Sequence, residues 1–271
     1  MLKDLTLGQF YPGTSPIHKL DPRIKLVLTL VIAVLIFFVS SFAGYAVIAV
    51  YILAVSLLSR LPLGYLLRGV KPLWPLVALT FVLNTFTTPS ETVWWSWWIF
   101  KLTPDGLYRA TFFSLRMLFL VFTTSLLTLT TSPLALTDAV ELLLGPLRKI
   151  RFPVHELAMM MSIALHSIPI LLEETDKIMK AQKARGVDFE SGNLLQRARS
   201  LVPLLVPLFL SAFRRAEELA MAMEARCYRG GEGRTRMKTL HTTRQDWIAV
   251  GISCMLFALV MVDFIWKPLA I

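Results

Sequence analysis

Charged residues are scarce in this chain, and their scarcity argues against a soluble fold. Only 17% of its 271 residues are Asp, Glu, Lys or Arg, whereas 55% are hydrophobic. Soluble domains have about 25% charged and about 45–50% apolar residues. The apolar runs are also longer than the strands of a membrane barrel, which need about ten residues of alternating polarity. The composition therefore predicts an all-α integral membrane protein.

Residues that commonly carry metal or nucleophilic chemistry are equally sparse. The two cysteines, Cys227 and Cys254, fall in a polar loop and an apolar run. This placement argues against a disulfide framework and gives no metal-ligand spacing. The histidines are scattered along the chain, at His18, His155, His166 and His241. We therefore predict no catalytic residue, no metal site and no cofactor.

Nucleotide-binding and zinc-protease motifs are missing as well. No Gly-x-x-x-x-Gly-Lys-Ser/Thr sequence occurs, so the chain is not expected to hydrolyse ATP by a P-loop. The glycine-rich residues 230–233 are typical of a flexible loop. His155 and Glu156 have no second histidine four residues later, as a zinc protease needs. The sequence predicts that the chain is not itself an enzyme.

Five apolar runs are long enough to be membrane spans. We predict these spans at about residues 26–42, 43–58, 72–86, 107–131 and 247–266. Several lie near the lower limit of about 17 residues for crossing a bilayer core. The predicted organisation is an N-terminal segment at 1–25, spans one to four at 26–131, a coupling region at 132–245 and the final span at 246–271.

The placement of lysine and arginine predicts the orientation. They are frequent before the first predicted span and between the second and third, at Lys3, Lys19, Arg23, Lys25, Arg60, Arg68 and Lys71. The loop at 87–106 instead has one lysine and a cluster of Trp94, Trp95, Trp97 and Trp98. Cytoplasmic loops carry the excess of Lys and Arg, and tryptophan favours the membrane interface. We expect a cytoplasmic N-terminus and coupling region, with the Trp-rich loop and the C-terminus outside. The net charge of +10 then needs no nucleic-acid partner.

The coupling region at 132–245 holds most of the charges. It also contains two apolar stretches, 159–172 and 201–213, which include prolines and continue into charged sequence. Runs of about 10–14 apolar residues are typical of interfacial, re-entrant or buried helices rather than spans. We therefore predict two long amphipathic helices here, each with a segment too short to cross the bilayer comfortably.

Both amphipathic helices are predicted to end in alanine, arginine and a third residue. These residues are Ala184, Arg185 and Gly186 in the first helix, and Ala225, Arg226 and Cys227 in the second. A single such end is an ordinary C-cap, in which arginine offsets the helix dipole and glycine adopts the left-handed conformation. Two matched ends favour a docking role, because the guanidinium fork can hold carboxylates and carbonyls. Cysteine is less comfortable in that conformation, so we expect the second helix to end differently, at Gly230.

Two charged residues fall within predicted spans. Arg116 lies in the fourth span and Asp263 near the end of the fifth. An arginine at the bilayer centre costs roughly 2.5–3.5 kcal/mol, so its side chain should face protein or water. One arginine and one terminal aspartate do not make a proton relay. We predict a structural partner for Arg116.

Several motifs together resemble those of a known family. Residues 7–12, Leu-Gly-Gln-Phe-Tyr-Pro, and residues 15–26, Ser-Pro-Ile-His-Lys-Leu-Asp-Pro-Arg-Ile-Lys-Leu, resemble the opening of the transmembrane T component of energy-coupling factor transporters. The two Ala-Arg ends are similar to the paired Ala-Arg-Gly motifs of that family. The resemblance covers nearly the whole chain. Cys227 departs from the pattern, which usually has glycine there.

This resemblance implies a non-catalytic scaffold of an ABC-type importer in a bacterial or archaeal cell membrane. Such a scaffold joins two ABC-type ATPases to a substrate-binding membrane protein, the S component, and couples ATP hydrolysis to uptake of a vitamin or other micronutrient. The resemblance makes Arg185 and Arg226 the ATPase contacts, supported by Ala184, Gly186 and Ala225. The alternative is a self-contained secondary transporter or channel, which would need inverted repeats and polar sites at mid-membrane.

Overall fold

The computed structural model describes residues 10–88, 95–97, 100–150, 152–189, 193–230 and 241–266. Its helices and strands are α1 Pro16–Lys19, α2 Pro22–Phe38, α3 Phe42–Ser59, α4 Leu63–Val70, α5 Trp74–Thr87, β1 Trp95–Trp97, β2 Phe100–Leu102, α6 Pro104–Thr130, α7 Pro133–Leu143, α8 Val154–Ala184, α9 Leu194–Ser200, α10 Val202–Ala225 and α11 Arg244–Trp266. Some residues used in the sequence argument lie outside the described ranges, namely Lys3, residues 7–9, Trp94, Trp98 and residues 231–233.

The described chain divides into two compact units. The first unit combines Gly8–Ala139 with Thr239–Ile271, and the second contains Val140–Lys238. The first unit therefore holds α1 to α6 and α11, while α8, α9 and α10 belong to the second. The domain boundaries derived from hydropathy stay a prediction.

Three long helices of the first unit begin at side-chain caps. Asp21 precedes α2, Ser41 precedes α3 and Thr103 precedes α6. Each side-chain oxygen accepts a hydrogen bond of 2.9–3.2 Å from an amide two or three residues later. The first amides of a helix have no carbonyl partner within it, so such caps stabilise the helix start. Proline at the first position of α2 and α6 strengthens the same signal.

Helix α2 supplies the centre of the first unit. Ile32, Leu35 and Ile36 are at most 3% exposed and belong to one apolar cluster. The helix contacts α6 and α11, and the cluster takes in Leu129 of α6 and Leu256 of α11. With 17 residues, α2 reaches the lower end of the length that crosses a bilayer core.

Five helical segments in the described part of the chain are long and apolar enough to cross a membrane. They are Phe42–Ser59, Gly64–Thr87, Pro104–Thr130, Val154–Ala184 and Arg244–Trp266. The prediction of an all-α membrane protein with about five such helices is confirmed. The predicted first span, at about 26–42, is nevertheless not among these five. A further difference lies in the coupling region.

That difference is helix α8. We expected residues 159–172 to form a segment too short to span, but they lie within one continuous helix of 31 residues, Val154–Ala184. Pro169 stands inside this helix without ending it. The apolar run understates the length because charged turns extend the helix beyond it.

The Trp-rich loop contains a short antiparallel hairpin. Strands β1 and β2 pair with Trp95 opposite Leu102 and Trp97 opposite Phe100. The sequence analysis did not predict these strands, and each has only three residues. They belong to the first unit and are a small addition to a helical protein.

Candidate docking site at two helix ends

Helices α8 and α10 of the second unit lie side by side and run in opposite directions. Near the end of α8, the side-chain amide of Gln182 donates to the carbonyl of Pro203 at the start of α10 (3.2 Å). Further back on α8, Glu174 accepts a hydrogen bond from Ser211 (2.7 Å) and pairs with Arg215 at 3.8 Å. The partners advance along α10 as α8 is followed backwards, so the pair is antiparallel.

The antiparallel arrangement extends to the other end of the pair. Met159, near the start of α8, and Arg226, just beyond α10, line one cavity of about 610 Å³. Gly230, which follows α10, also lies close to Glu156 at the start of α8, since a Cβ atom built on this glycine would be 3.9 Å from Glu156 Oε1. About 26 residues of helix, at 1.5 Å each, separate Met159 from Arg185, or about 35–40 Å. The two Ala-Arg ends therefore lie at opposite ends of one helix pair.

The first of these ends closes with a Schellman motif. The amide of Gly186 donates to the carbonyl of Lys183 (3.0 Å), and the amide of Val187 donates to the carbonyl of Gln182 (3.1 Å). Gly186 has φ +86°, the left-handed conformation that this motif requires. Arg185 is the C-cap residue. The motif satisfies carbonyls that a helix end would otherwise leave unpaired.

The second end has the same geometry. The amide of Cys227 donates to the carbonyl of Glu224 (2.8 Å), and the amide of Tyr228 donates to the carbonyl of Met223 (3.0 Å). Cys227 has φ +55°, and Arg226 is the C-cap residue. Every hydrogen bond of the first motif thus has its counterpart in the second.

The prediction that α10 ends differently, at Gly230, is wrong. The helix ends at Ala225, and Cys227 itself adopts the left-handed conformation. A residue with a Cβ atom pays roughly 1–2 kcal/mol for this conformation. The two hydrogen bonds of the motif offset that cost. The cysteine therefore changes the energy of the second end and leaves its shape unchanged.

All six residues predicted to dock lie on the surface. They are Ala184, Arg185, Gly186, Ala225, Arg226 and Cys227, and each is exposed. The small alanine before each arginine leaves the approach to the helix end open. A partner can therefore reach both guanidinium groups, as a docking role requires.

Helix α10 also presents an apolar face. Val202, Val206, Phe209 and Phe213 are between 51% and 69% exposed. Their spacing of four, three and four residues places them on one side of the helix. Contiguous exposed apolar surface of this kind marks contact with protein or lipid. We call these four residues the α10 apolar face.

Arg116 has the structural partners that the sequence predicted. Its Nε donates to the hydroxyl of Tyr45 (3.2 Å). Its guanidinium lies 5.3–5.7 Å from the ring centres of Phe37, Phe112 and Phe113. Such cation–π contacts stabilise a cation in apolar surroundings. The arrangement favours a structural role for this arginine.

Asp263 also contacts a neighbouring helix. Both of its carboxylate oxygens accept from the hydroxyl of Ser41, at 2.7 and 2.8 Å, while Ser41 caps α3. Gly44 makes the close approach possible, because a Cβ atom there would lie 2.8 Å from Asp263 Oδ2. The pair ties the end of α11 to the start of α3.

Sequence reasoning missed a buried network at the opposite end of α11. Asp246 is fully buried and accepts from the amide of Asp21 (2.8 Å) and from the amide and hydroxyl of Thr243 (2.6 and 2.8 Å). Burial raises the pKa of Asp21, but its hydrogen bonds with Arg23 and that charge outweigh burial and leave the pKa below its ordinary value. Thr-x-x-Asp at 243–246 is a capping-box sequence, which is the signal that could have revealed the network.

In the described part of the chain, no group of three or more His, Cys, Asp or Glu side chains is placed to hold a metal ion. His155 instead contacts the buried carboxylate of Glu141 (3.0 Å). The feature of the second unit that stands out is its two long helices with matched, exposed ends.

Long apolar helices and these paired ends define the class. The chain is a multi-pass, all-helical membrane protein whose second unit presents two arginine-bearing helix ends. Comparisons with known proteins identify the family within this class.

A family profile described as cobalt transport protein (CbiQ) matches residues 13–239. The chain is 56% identical over 267 residues to the energy-coupling factor transporter transmembrane protein EcfT of Thermosediminibacter oceani, covering 98% of this chain and 100% of the relative. It is 54% identical over 267 residues to the protein of the same name from Clostridium kluyveri, covering 98% and 99%. With that of Bacillus subtilis it shares 48% identity over 246 residues, covering 91% and 93%.

The chain therefore belongs to the family of transmembrane components of energy-coupling factor transporters. This confirms the resemblance drawn from its N-terminal motif and its two Ala-Arg ends. It is a membrane component of a transporter.

Proposed function

We propose that this chain is the non-catalytic scaffold through which two ABC-type ATPases drive uptake of a substrate captured by an S component. The substrate is a vitamin or another micronutrient, and the S component binds it. In this proposal the N-terminus and the second unit face the cytoplasm of a bacterial or archaeal cell. The chain itself has no P-loop sequence, so the ATPase partners supply the energy.

The observation that carries the proposal is the pair of matched helix ends. Arg185 and Arg226 are C-cap residues of the same motif, are exposed, and lie at opposite ends of one antiparallel pair. A separation of about 35–40 Å lets each end contact a different subunit. Each arginine would hold carboxylate or carbonyl oxygens of one ATPase through its guanidinium fork.

The α10 apolar face is the proposed contact for the S component. Phe209 and Phe213 are 61% and 69% exposed, on the same helix that carries Arg226 at its end. Burying two such rings against a membrane partner gives a strong apolar contact. One helix would thus touch both the ATPase and the S component.

Motion is transmitted by the contact between α8 and α10. Closure of the ATPase pair would move the two arginines relative to each other, and the helices would follow as levers. Pro169 in α8 and Pro207 in α10 interrupt the backbone hydrogen bonding of each helix. These prolines are the proposed bending points. Coupling of this kind needs an element with two conformations, whose equilibrium is shifted by binding at either end.

Co-purification with the ATPases tests the docking claim. The parent chain should retain both ATPases through purification in detergent, and the Arg185→Ala plus Arg226→Ala variant should lose them. A matched control is Lys180→Ala plus Arg214→Ala, which removes two exposed cations from the same helices and should bind like the parent. The docking claim fails if the tip variant binds and supports uptake as well as this control.

A second pair of variants tests the apolar face. Phe209→Ser plus Phe213→Ser should lose the S component and keep the ATPases. Leu219→Ser is the control, because this exposed residue lies about a quarter turn away from the face. Equal S-component recovery from both variants would contradict the assignment of this surface.

The alternative, a self-contained transporter or channel, is not favoured. Such a protein would need polar sites at mid-membrane, but Arg116 is held by Tyr45 and by aromatic rings, and Asp263 by Ser41. Family membership also favours a component of a complex.

A further inference from the structure

A half-open cavity of about 320 Å³ lies between α1, α2, α3, α6 and α11 of the first unit. Four of these helices contribute about two turns each to its wall, at residues 25–32, 51–58, 123–130 and 245–252. Seven steps of 1.5 Å make it about 10 Å deep. This volume is at the lower end of the range of ligand pockets, about 300–1,000 Å³.

One end of the cavity is charged and polar, and the rest of its wall is mostly apolar. At the polar end, Lys25 Nζ donates to the carbonyl of Thr130 (3.1 Å), and Gln245 follows the start of α11. About two turns further along, Ile32 and Ile252 line the wall, and Tyr51 contacts Ser253 of α11 at this level (3.3 Å). A ligand that fits must therefore be amphiphilic.

The exposed apolar side chains that line the cavity indicate that its opening faces lipid. Three apolar side chains that line it are also more than half exposed, namely Leu58, Ile248 and Ile252 at 56%, 61% and 53%. They lie on α3 and α11, both long and apolar enough to span the membrane. An acyl chain can therefore enter from the hydrocarbon between these helices.

Among the described residues that line the cavity, Lys25 carries the one formal charge. It is 7% exposed, and its ammonium donates to the carbonyls of His18 and Thr130, both at 3.1 Å. An ammonium has three donors, so one proton remains for a ligand. Asp21 and Asp246 lie close enough to stabilise the charge of Lys25, although Asp21 also binds Arg23 and Asp246 also caps α11.

We infer that this cavity binds an anionic phospholipid, with one acyl chain along its apolar wall and the phosphate at Lys25. In the orientation proposed above, Lys25 lies at the cytoplasmic side of the membrane, where a basic residue between membrane helices suits an anionic head group. A cation beside hydrocarbon is stabilised when an anion pairs with it.

Native mass spectrometry of the intact chain, with phosphatidylglycerol and phosphatidylcholine of identical acyl chains, tests this site. The parent should retain phosphatidylglycerol about five- to tenfold more strongly, the ratio expected for one lysine near an anionic lipid. Lys25→Met should remove this preference and Lys25→Arg should keep it. The control Lys19→Met changes an exposed lysine of α1 and should bind like the parent.

A second variant keeps Lys25 and its hydrogen bonds in place. Ala249→Leu adds bulk to the apolar wall and should lower retention of both lipids, whether or not Lys25→Met folds. Oleate serves as the probe for a free fatty acid, and tighter retention of oleate than of phosphatidylglycerol would contradict a phospholipid. Equal retention of the two phospholipids by the parent, an unchanged preference in Lys25→Met, or unchanged retention in Ala249→Leu would overturn the inference.

Discussion

Gly186 and Cys227 occupy the same position in two matched helix ends, with φ +86° and +55°. Each donates its amide to the carbonyl three residues earlier, at 3.0 and 2.8 Å. Glycine adopts this conformation freely, whereas a residue with a Cβ atom does not. The two helix ends therefore have the same backbone conformation, but the second is less stable because of the strain at Cys227.

Replacing Cys227 by glycine should stabilise the second end. Removal of the Cβ atom relieves roughly 1 kcal/mol of backbone strain. Amide hydrogen exchange at Tyr228 should slow by about fivefold if local opening limits exchange. Gly186→Ala should have the opposite effect and speed exchange at Val187.

Cys227→Ser is the matched control for this prediction. It removes the thiol but keeps a Cβ atom, so exchange at Tyr228 should stay close to that of the parent. If serine protects the amide as well as glycine does, thiol chemistry and not backbone strain distinguishes the second end.

Asp246 should be among the most sensitive residues of the first unit. Asp246→Ala leaves the buried amide of Asp21 and the polar groups of Thr243 without their acceptor, which should cost about 1–3 kcal/mol. Asp246→Asn keeps one oxygen and should cost less. Thermal unfolding of the purified chain measures the stabilities of the parent and the two variants. A melting temperature of Asp246→Ala equal to that of the parent would refute this role.

Two glycines on membrane helices should respond to alanine with opposite signs. At Gly44, a new Cβ atom would lie 2.8 Å from Asp263 Oδ2 and 2.9 Å from Val39 Cγ1, so we expect a loss of about 1–3 kcal/mol. At Gly251, within α11, no atom apart from its chain neighbours and its own helix backbone lies within 4 Å of the new Cβ. Alanine there should stabilise the helix by up to about 1 kcal/mol. Melting temperatures that change in the same direction would contradict this account.

Arg116 should affect stability more than transport. Arg116→Met removes the hydrogen bond to Tyr45 and the stacking on Phe112, and we expect a loss of about 1–2 kcal/mol. Uptake per folded molecule should stay near that of the parent. Arg116→Lys keeps the charge without the planar fork and should recover only part of the stability. Loss of uptake with unchanged melting would instead indicate a role in transport.

Much of the fold followed from hydropathy, but the assignment of α8 as a possible membrane span did not. An apolar run at 159–172 shows only the part of a helix that can face lipid, whereas the helix is continuous over Val154–Ala184. Pro169 lies inside this helix without ending it, since backbone groups freed by one proline can be satisfied locally. The turns on either side of this apolar run belong to the same helix, but their charged residues are not recognised by a search for apolar spans.

The second end shows a different limit. Sequence identified Arg185 and Arg226 as equivalent, but the preference of cysteine for other conformations predicted a different helix end. The left-handed conformation costs a residue with a Cβ atom about 1–2 kcal/mol, and the capping hydrogen bonds at Cys227 outweigh this cost. The hydrogen bond between Glu174 of α8 and Ser211 of α10 could not be predicted, because the sequence alone does not indicate which residues of two helices pack together.

The most direct test of the coupling claim is the distance between the two helix ends as nucleotide binds. Spin labels at Asp188→Cys and Arg229→Cys, in a Cys227→Ser, Cys254→Ser chain bound to its ATPases, should give a distance near 35–40 Å without nucleotide. The account predicts that ATP shifts this distance, and that Arg185→Ala plus Arg226→Ala abolishes the shift. A distance that does not change with ATP would contradict the account.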